Sequence, residues 1–438
     1  MRYKIINGNV MTLQDGRFTV EKADLYVIGN KVYRQLETAQ EAARETAQEA
    51  EAGWEIIDAS DKLIMPGLTN MHTHAYMTVM RNYADDVAFD EWLFKRCMPV
   101  EDSLPQEAAY WTSLLGCMEM IRTGTTNFAD MHMFRGQSCK AVMDIGMRGV
   151  IGRGLVGEDL YGDGLSRFED CLAEQAEYEA ASNGRLQFAL APHAIYTCSL
   201  KHLEQVADEA AKRGMIKHIH VSESVFEVES AIEKYGKTPV GVLHDIGFMD
   251  QHTLMAHCVQ MREDDIELIA KTGATVVTNP ASNAKLGNGF APVKEFMDAG
   301  VNMTLGTDGA ASNNTLNMFR EMGLLSLIHK GIHRDPEVVS SNSILHMVTD
   351  NAWKMLGTDD QMGVITDGSL ADLVFLNLKE LSMFPANNIV SSLCYSANGS
   401  EVESVMVDGA FVMKDRKFLN IDAEEVLQQV EKVKEQYL

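Results

Sequence analysis

Paired cysteines, a cationic surplus and long apolar runs are all missing from this chain of 438 residues. Its seven cysteines are scattered, odd in number and never in CxxC spacing. That argues against a disulfide framework and leads us to expect reduced thiols in a cytoplasm. Lys and Arg number 38 against 63 Asp and Glu, a formal net charge of −25. Such a balance argues against nucleic-acid backbones and anionic membrane surfaces as partners. No uninterrupted apolar stretch approaches the roughly 20 residues that span a bilayer. The first eight residues read as a strand and a turn, Asn7-Gly8, without an apolar signal core. No repeat of solenoid period and no long low-complexity tract is present. What remains is an ordinary globular composition, 46% hydrophobic and 23% charged, long enough for one large domain and a smaller one.

What is there begins with His72-Thr73-His74, two histidines spaced i and i+2 at the end of a short apolar run. Side chains alternate across a strand, so the spacing puts both imidazoles on one side of the chain. Two neutral imidazoles held close suit Zn²⁺ or another first-row divalent metal, although an HxH by itself is as often structural. Eight strand-like runs alternate with helical patterns, at 63–71, 125–131, 149–155, 186–192, 216–221, 253–256, 275–278 and 301–306. Eight β-then-α units predict an α/β fold, a (β/α)8 TIM-type barrel. After the runs come His72 and His74, Asp130 and His132, Arg153, His193, His220 and Glu223, His257, Asn279 with Asn283, and Asp308. Ionisable groups thus gather at the C-terminal ends of the strands, the face where such barrels build their sites.

The two chain ends carry short strand-like pieces instead, at 3–7, 24–28, 31–33, 373–376, 402–407 and 410–413, with turns at Gly29-Asn30, Asp367-Gly368 and Asp408-Gly409. They predict a small β-sandwich domain assembled from residues 1–63 and 361–438, with a helix at 423–437, flanking a catalytic barrel over 64–360. The Ala-, Glu- and Gln-rich stretch 37–52 reads as an exposed helix or a mobile insertion.

Several blocks carry a family resemblance. Pro66-Gly67-Leu68 followed by His72-Thr73-His74, strand-end histidines at 220 and 257, and Thr307-Asp308 resemble the amidohydrolase superfamily. Arg81-Asn82-Tyr83-Ala84-Asp85-Asp86, Ala191-Pro192-His193, His220-Val221-Ser222-Glu223 and Asn279-Pro280-Ala281-Ser282-Asn283 are similar to its cytosine-deaminase-like branch. That branch holds 5-methylthioadenosine/S-adenosylhomocysteine deaminases, the nearer group, and triazine chlorohydrolases. Position 195 is Ile where relatives often have proline.

The resemblance implies one divalent metal, Zn²⁺ or alternatively Fe²⁺, held by His72, His74, His220 and Asp308. His218 shares the strand face of His220 one layer deeper and reads as packing or as a partner of a ligand. Glu223 is implied as general base and acid, His257 as the group that hydrogen-bonds the attacking water or the developing alkoxide, and Asp308 as a proton acceptor besides ligand. Glu101 resembles the acidic residue that holds ribose hydroxyls. Arg153 and Arg167 are implied as partners for an amino-acid carboxylate, Arg167 being otherwise a solvated loop charge. Trp92 walls the pocket or is simply a buried aromatic; His193 contacts substrate or orients a ligand. The implied activity is hydrolytic deamination of adenine nucleosides. Alternatives are a deaminase of guanine or another free base, a triazine-type chlorohydrolase, and, remotely, a non-catalytic barrel scaffold. The expected partners are a small-molecule nucleoside and further copies of the chain, with no nucleic acid and no membrane.

Overall fold

The computed structural model describes residues 2–45, 53–357 and 363–438. Eight parallel strands follow one another around a single sheet: Leu68–Thr73, Thr125–His132, Arg148–Leu155, Leu186–Pro192, Ile216–Val221, Thr253–His257, Thr275–Thr278 and Asn302–Leu305. Apart from Gln187 and Asn302 every residue in them is buried, as expected when helices cover one face and a packed interior fills the other. The ends of the first and eighth strands meet and close the barrel. Asn70 accepts from the Thr307 amide at 3.0 Å and donates to its hydroxyl at 2.7 Å, and the Asp308 amide donates to the His72 carbonyl at 2.9 Å. Alternation is clean in mid-strand. Val150, Ile216, Leu254 and Val277 fill the interior, while Ile151, Ile219, Met255 and Val276 face the helix layer.

A second sheet of ten strands is built from both ends of the chain. Arg2–Gln14 and Arg17–Ile28 form a long antiparallel hairpin, turned at Asp15 and Gly16. Asn7-Gly8, expected as a turn, is a bulge inside the first strand: the register shifts between Ile5 and Gly8, and the Asn7 amide is taken up by Asp24 at 3.0 Å. Lys62–Pro66 pairs antiparallel with Leu373–Asn377, and Val402–Val407 and Ala410–Lys414 extend that side. Tyr3, Ile5, Val27, Ile64 and Phe375 lie in a core of their own.

The run at 63–71 is therefore two strands, one in each sheet, and Gly67 is the joint. Its amide donates to the Asp372 carbonyl of the outer sheet at 2.9 Å, while the next amide, of Leu68, donates to Gly124 beside the barrel at 3.0 Å. A Cβ on Gly67 would stand 2.0 Å from Thr126 Oγ1, so no side chain fits where the chain crosses over. Arg148 ties the seam. Buried at the start of the third strand, it donates to Asp372 at 2.7 Å and to Asp408 at 2.6 Å.

Helix Leu36–Glu45 occupies the start of the expected 37–52 stretch, whose residues 46–52 lie outside the described residues, as does the expected domain boundary at 360–361. Helix Ala423–Tyr437 falls where the sequence places it. Ile195, the departure from the family pattern, is a buried core residue. No helix among the described residues is long and apolar enough to cross a membrane.

Candidate active site

At the C-terminal ends of the barrel strands, His72, His74 and Asp308 bring ligand atoms together, and His72, His220 and His257 do likewise. His72 Nε2 and His74 Nε2 each lie 3.4 Å from Asp308 Oδ1, and His220 Nε2 lies 3.3 Å from His74 Nε2. The outer ring nitrogens decide what those inner ones are. His74 Nδ1 faces the Met131 carbonyl at 2.6 Å and His220 Nδ1 the His193 carbonyl at 2.7 Å. A carbonyl can only accept, so both Nδ1 atoms carry the hydrogen, and the two Nε2 atoms face each other across 3.3 Å. His72 Nδ1 is engaged by His218 Nε2 at 2.9 Å, which leaves the buried His72 Nε2 facing Asp308. Burial pushes His72 down to about 4 and His220 well below the ordinary imidazole range, so both stay neutral at pH 7. Burial works against ionisation of Asp308, yet the surrounding imidazoles outweigh it and hold the carboxyl well below the usual range. Lone pairs converging beside an ionised carboxylate lack only a cation. The donor set of three imidazoles and one carboxylate fits a divalent metal with room for a water.

The carboxylate is held from behind. Ser282 and Ser312 donate to Asp308 Oδ2 at 2.6 and 2.7 Å, and the Gly309 amide to Oδ1 at 2.7 Å. Asp308 sits at φ 61° and His257 at φ 73°, the left-handed region that costs a residue with a Cβ of order 1 kcal/mol or more. At His257 the reason is visible in the strand. Leu254 points inward, so position 257 should point out; the left-handed backbone turns the ring back, 5.5 Å from that of His220. Its Nδ1 donates to Asn283 Oδ1 at 2.8 Å, and its Nε2 lies 3.8 Å from Glu223 Oε2. Glu223 follows the fifth strand, buried, with Oε1 accepting from Asn288 at 3.1 Å. Burial, with the Asp308 charge adding to it, pushes the Glu223 carboxyl well above its ordinary range. A carboxyl with raised proton affinity beside a cation site is suited to carry a proton in both directions.

A cavity of about 120 Å³ opens outward from these groups. Trp92 and Leu93, from the π-helical segment Glu91–Cys97, and Met98 form an apolar wall. Trp92 is fixed by its Nε1 donating to the Ala311 carbonyl at 3.2 Å. Glu101 reaches the cavity from helix Met98–Ser103 and accepts from the Tyr76 hydroxyl. Burial raises its carboxyl, with the Tyr76 bond and the nearby His74 and Arg167 opposing. His193 lines the cavity as well, its Nδ1 beside the Thr197 hydroxyl at 3.1 Å, while its carbonyl orients His220. Both roles read for His193 are thus geometrically open to it.

The two arginines part company. Arg167 lies in the first turn of helix Leu165–Tyr178 and not in a loop; it lines the cavity, half-buried, contacting the Gly154 carbonyl at 3.3 Å. Arg153 does not reach it. Three residues from inward-facing Val150, it faces the helix layer and pairs with Asp170 at 3.0 Å. Asn288, Ser282, Ser312 and Tyr76 are contacts the sequence reading missed. Each acts through a residue it named, and no spacing signal marks them, although Ser282 and Ser312 lie inside blocks that resemble the family, residues 279–283 and 307–314.

A parallel barrel with a histidine–carboxylate cation site at the C-terminal ends of its strands has the build of a metal-dependent barrel enzyme. More narrowly, the chain belongs to the Amidohydrolase family, whose profile matches residues 63–412. It is 38% identical over 432 residues to a 5-methylthioadenosine/S-adenosylhomocysteine deaminase of Caldanaerobacter subterraneus subsp. tengcongensis, covering 99% of this chain and 98% of that protein. It is 38% identical over 436 residues to a 5'-deoxyadenosine deaminase of Methanosarcina mazei, covering 99% and 97%. Among solved structures, a zinc-bound adenosine deaminase from Xanthomonas campestris superposes with a TM-score of 0.89 at 26% identity, over 99% of each chain.

Proposed function

We propose that this chain is a hydrolytic deaminase of adenine nucleosides, with S-adenosylhomocysteine, 5'-methylthioadenosine and adenosine as substrates. The carrying observation is Glu223, a buried carboxyl of raised proton affinity held between Asn288 and His257 at the edge of the cation site. A divalent ion on His72, His74, His220 and Asp308 would lower the pKa of a water from about 15.7 to about 7, supplying a nucleophile at neutral pH. We take zinc as that ion, as in the solved adenosine deaminase, with Fe²⁺ as the alternative.

Glu223 accepts the water proton and delivers it to N1 of the adenine ring as oxygen adds at C6. His257 steadies the oxygen by hydrogen bonding. The hydroxyl proton of the C6 adduct then passes through Glu223 to the C6 amino group, which leaves as ammonia while the C6 oxygen becomes the carbonyl of the inosine analogue. Glu101 accepts from vicinal ribose hydroxyls, a contact that a free base cannot offer. Arg167 faces the tail, His193 borders the ring, and Trp92 forms the apolar wall. Arg153 supports the helix that carries Arg167 through Asp170, so its part in substrate binding is indirect. The barrel is the catalytic domain, flanked by the sheet built from both ends of the chain, and the joint between them falls at Gly67 instead of at the expected boundary after residue 63. A homo-oligomer in the cytoplasm completes the reading, consistent with seven buried, unpaired cysteines.

Metal-replete protein should lower adenine absorbance near 265 nm with these nucleosides and release one ammonia per turnover, with about one metal ion per chain. Absence of turnover across them, with free purines or triazines consumed instead, refutes the nucleoside assignment.

A further inference from the structure

We infer that Glu227 is the positioning residue of Glu223: its buried carboxylate accepts the Glu223 backbone N–H and fixes the elbow that aims the Glu223 side chain into the cavity. The inference rests on the acid–base role proposed for Glu223. Ser224-Val225-Phe226-Glu227 is the S-x-x-E pattern of a capping box, in which the cap hydroxyl takes the N3 amide and the N3 carboxylate returns to the cap's own amide. Half of that is present. Ser224 Oγ accepts from the Glu227 amide at 3.2 Å and opens helix Val225–Tyr235. The return bond is displaced by one residue: Glu227 Oε2 accepts from the Glu223 amide at 2.9 Å.

Helix Glu263–Thr272, after the sixth barrel strand, shows the undisplaced form. There the Asp265 carboxylate returns to the amide of its own cap, Arg262, at 3.0 Å. The displacement at Glu227 therefore lands on the residue that carries the chemistry. The carbonyl end of that same peptide is pinned too. Ser222 has φ 49°, and its carbonyl accepts from the Val259 and Gln260 amides at 3.1 and 2.8 Å. A strained elbow persists only where its surroundings over-determine it.

A plain cap explains the burial poorly. Val225 and Phe226 are about half exposed, so the helix start lies at the surface, where water could satisfy a capping carboxylate. Glu227 is instead 1% exposed, and its Oε1 has no partner. Burying a carboxylate with one oxygen unsatisfied is costly, and here the bond gained is the one to Glu223 N.

Two substitutions separate reach from charge. Glu227→Gln keeps an acceptor oxygen at the same distance and loses the charge; Glu227→Asp keeps the charge and falls one methylene short. The proposal expects Glu227→Gln to hold kcat within about threefold of wild type. It expects Glu227→Asp to lower kcat about 100-fold, with KM and bound metal unchanged, the scale of a misplacement near 1 Å. Wild-type kcat in both, or an equal loss in both, overturns it. Crystals of the two variants provide a readout without turnover. In Glu227→Asp the Glu223 carboxyl should leave hydrogen-bond reach of Asn288, and in Glu227→Gln it should stay; an unmoved carboxyl in the Asp variant also overturns the proposal. If the wild-type protein deaminates no adenine nucleoside, the functional reading falls and this crystallographic comparison still decides the role of Glu227.

Discussion

The cation site and the outer cavity wall lie side by side and are built by different means. Around His72, His74, His220 and Asp308, positions come from barrel strands and the residues just beyond them, and the outer ring nitrogens and Asp308 Oδ2 are engaged by protein. The wall comes from a π-helical turn, the six-residue helix Met98–Ser103 and the start of a longer helix, and it leaves Phe94 and Met98 substantially exposed. A barrel enzyme keeps its reaction on the rigid frame and its choice of substrate on the connections, where change is tolerated. The two halves should therefore fail differently.

The largest effect is expected in the frame. His220→Ala should lower metal stoichiometry by elemental analysis and reduce kcat/KM by more than about 100-fold, since removing even an outer partner of a ligand costs 10–100-fold. Retention of full metal and activity would erase the contrast. In the wall, Glu101→Ala should keep the metal and lose about 10–100-fold in kcat/KM on ribosides, the range for a hydrogen bond to a charged group, while leaving free adenine unaffected. Equal losses on both would place Glu101 in the catalytic frame instead. The smallest effect separates the arginines. Arg167→Met should raise KM about tenfold for S-adenosylhomocysteine and leave 5'-methylthioadenosine unchanged, as loss of one carboxylate contact would. Arg153→Met should lower thermal stability with KM unchanged, because it removes the buried partner of Asp170.

The same division governs what was legible in the sequence. Seven of the eight strand runs lie on barrel strands alone and the first ends on one, because parallel strands buried on both faces leave short apolar runs that anyone can read. The four groups proposed to hold the metal were readable as a cluster because each closes such a run. Failure came where a local device overrides periodicity. Gly67 divides one apolar run between two sheets, and only the proximity of Thr126 reveals why. Asn7-Gly8 has turn chemistry but is spent on a bulge, leaving the turn to Asp15-Gly16. Arg153 faces the helix layer, as strand parity with Val150 indicates. For His257 parity alone would have misled, since its left-handed φ reverses the direction of the side chain. Asn288 and Glu227 act through bonds to Glu223 that no spacing rule connects to it.

The pairing of Lys62–Pro66 with Leu373–Asn377 has a consequence for how the chain is made. On the ribosome, the second partner emerges about 300 residues after the first, roughly 15–60 s later at ordinary rates of synthesis. Throughout that interval an apolar strand, Leu63 to Met65, has an open edge in a nascent polypeptide whose barrel is already assembling. Such an edge is a template for wrong pairing, so chaperone dependence during translation should fall on this strand before any other.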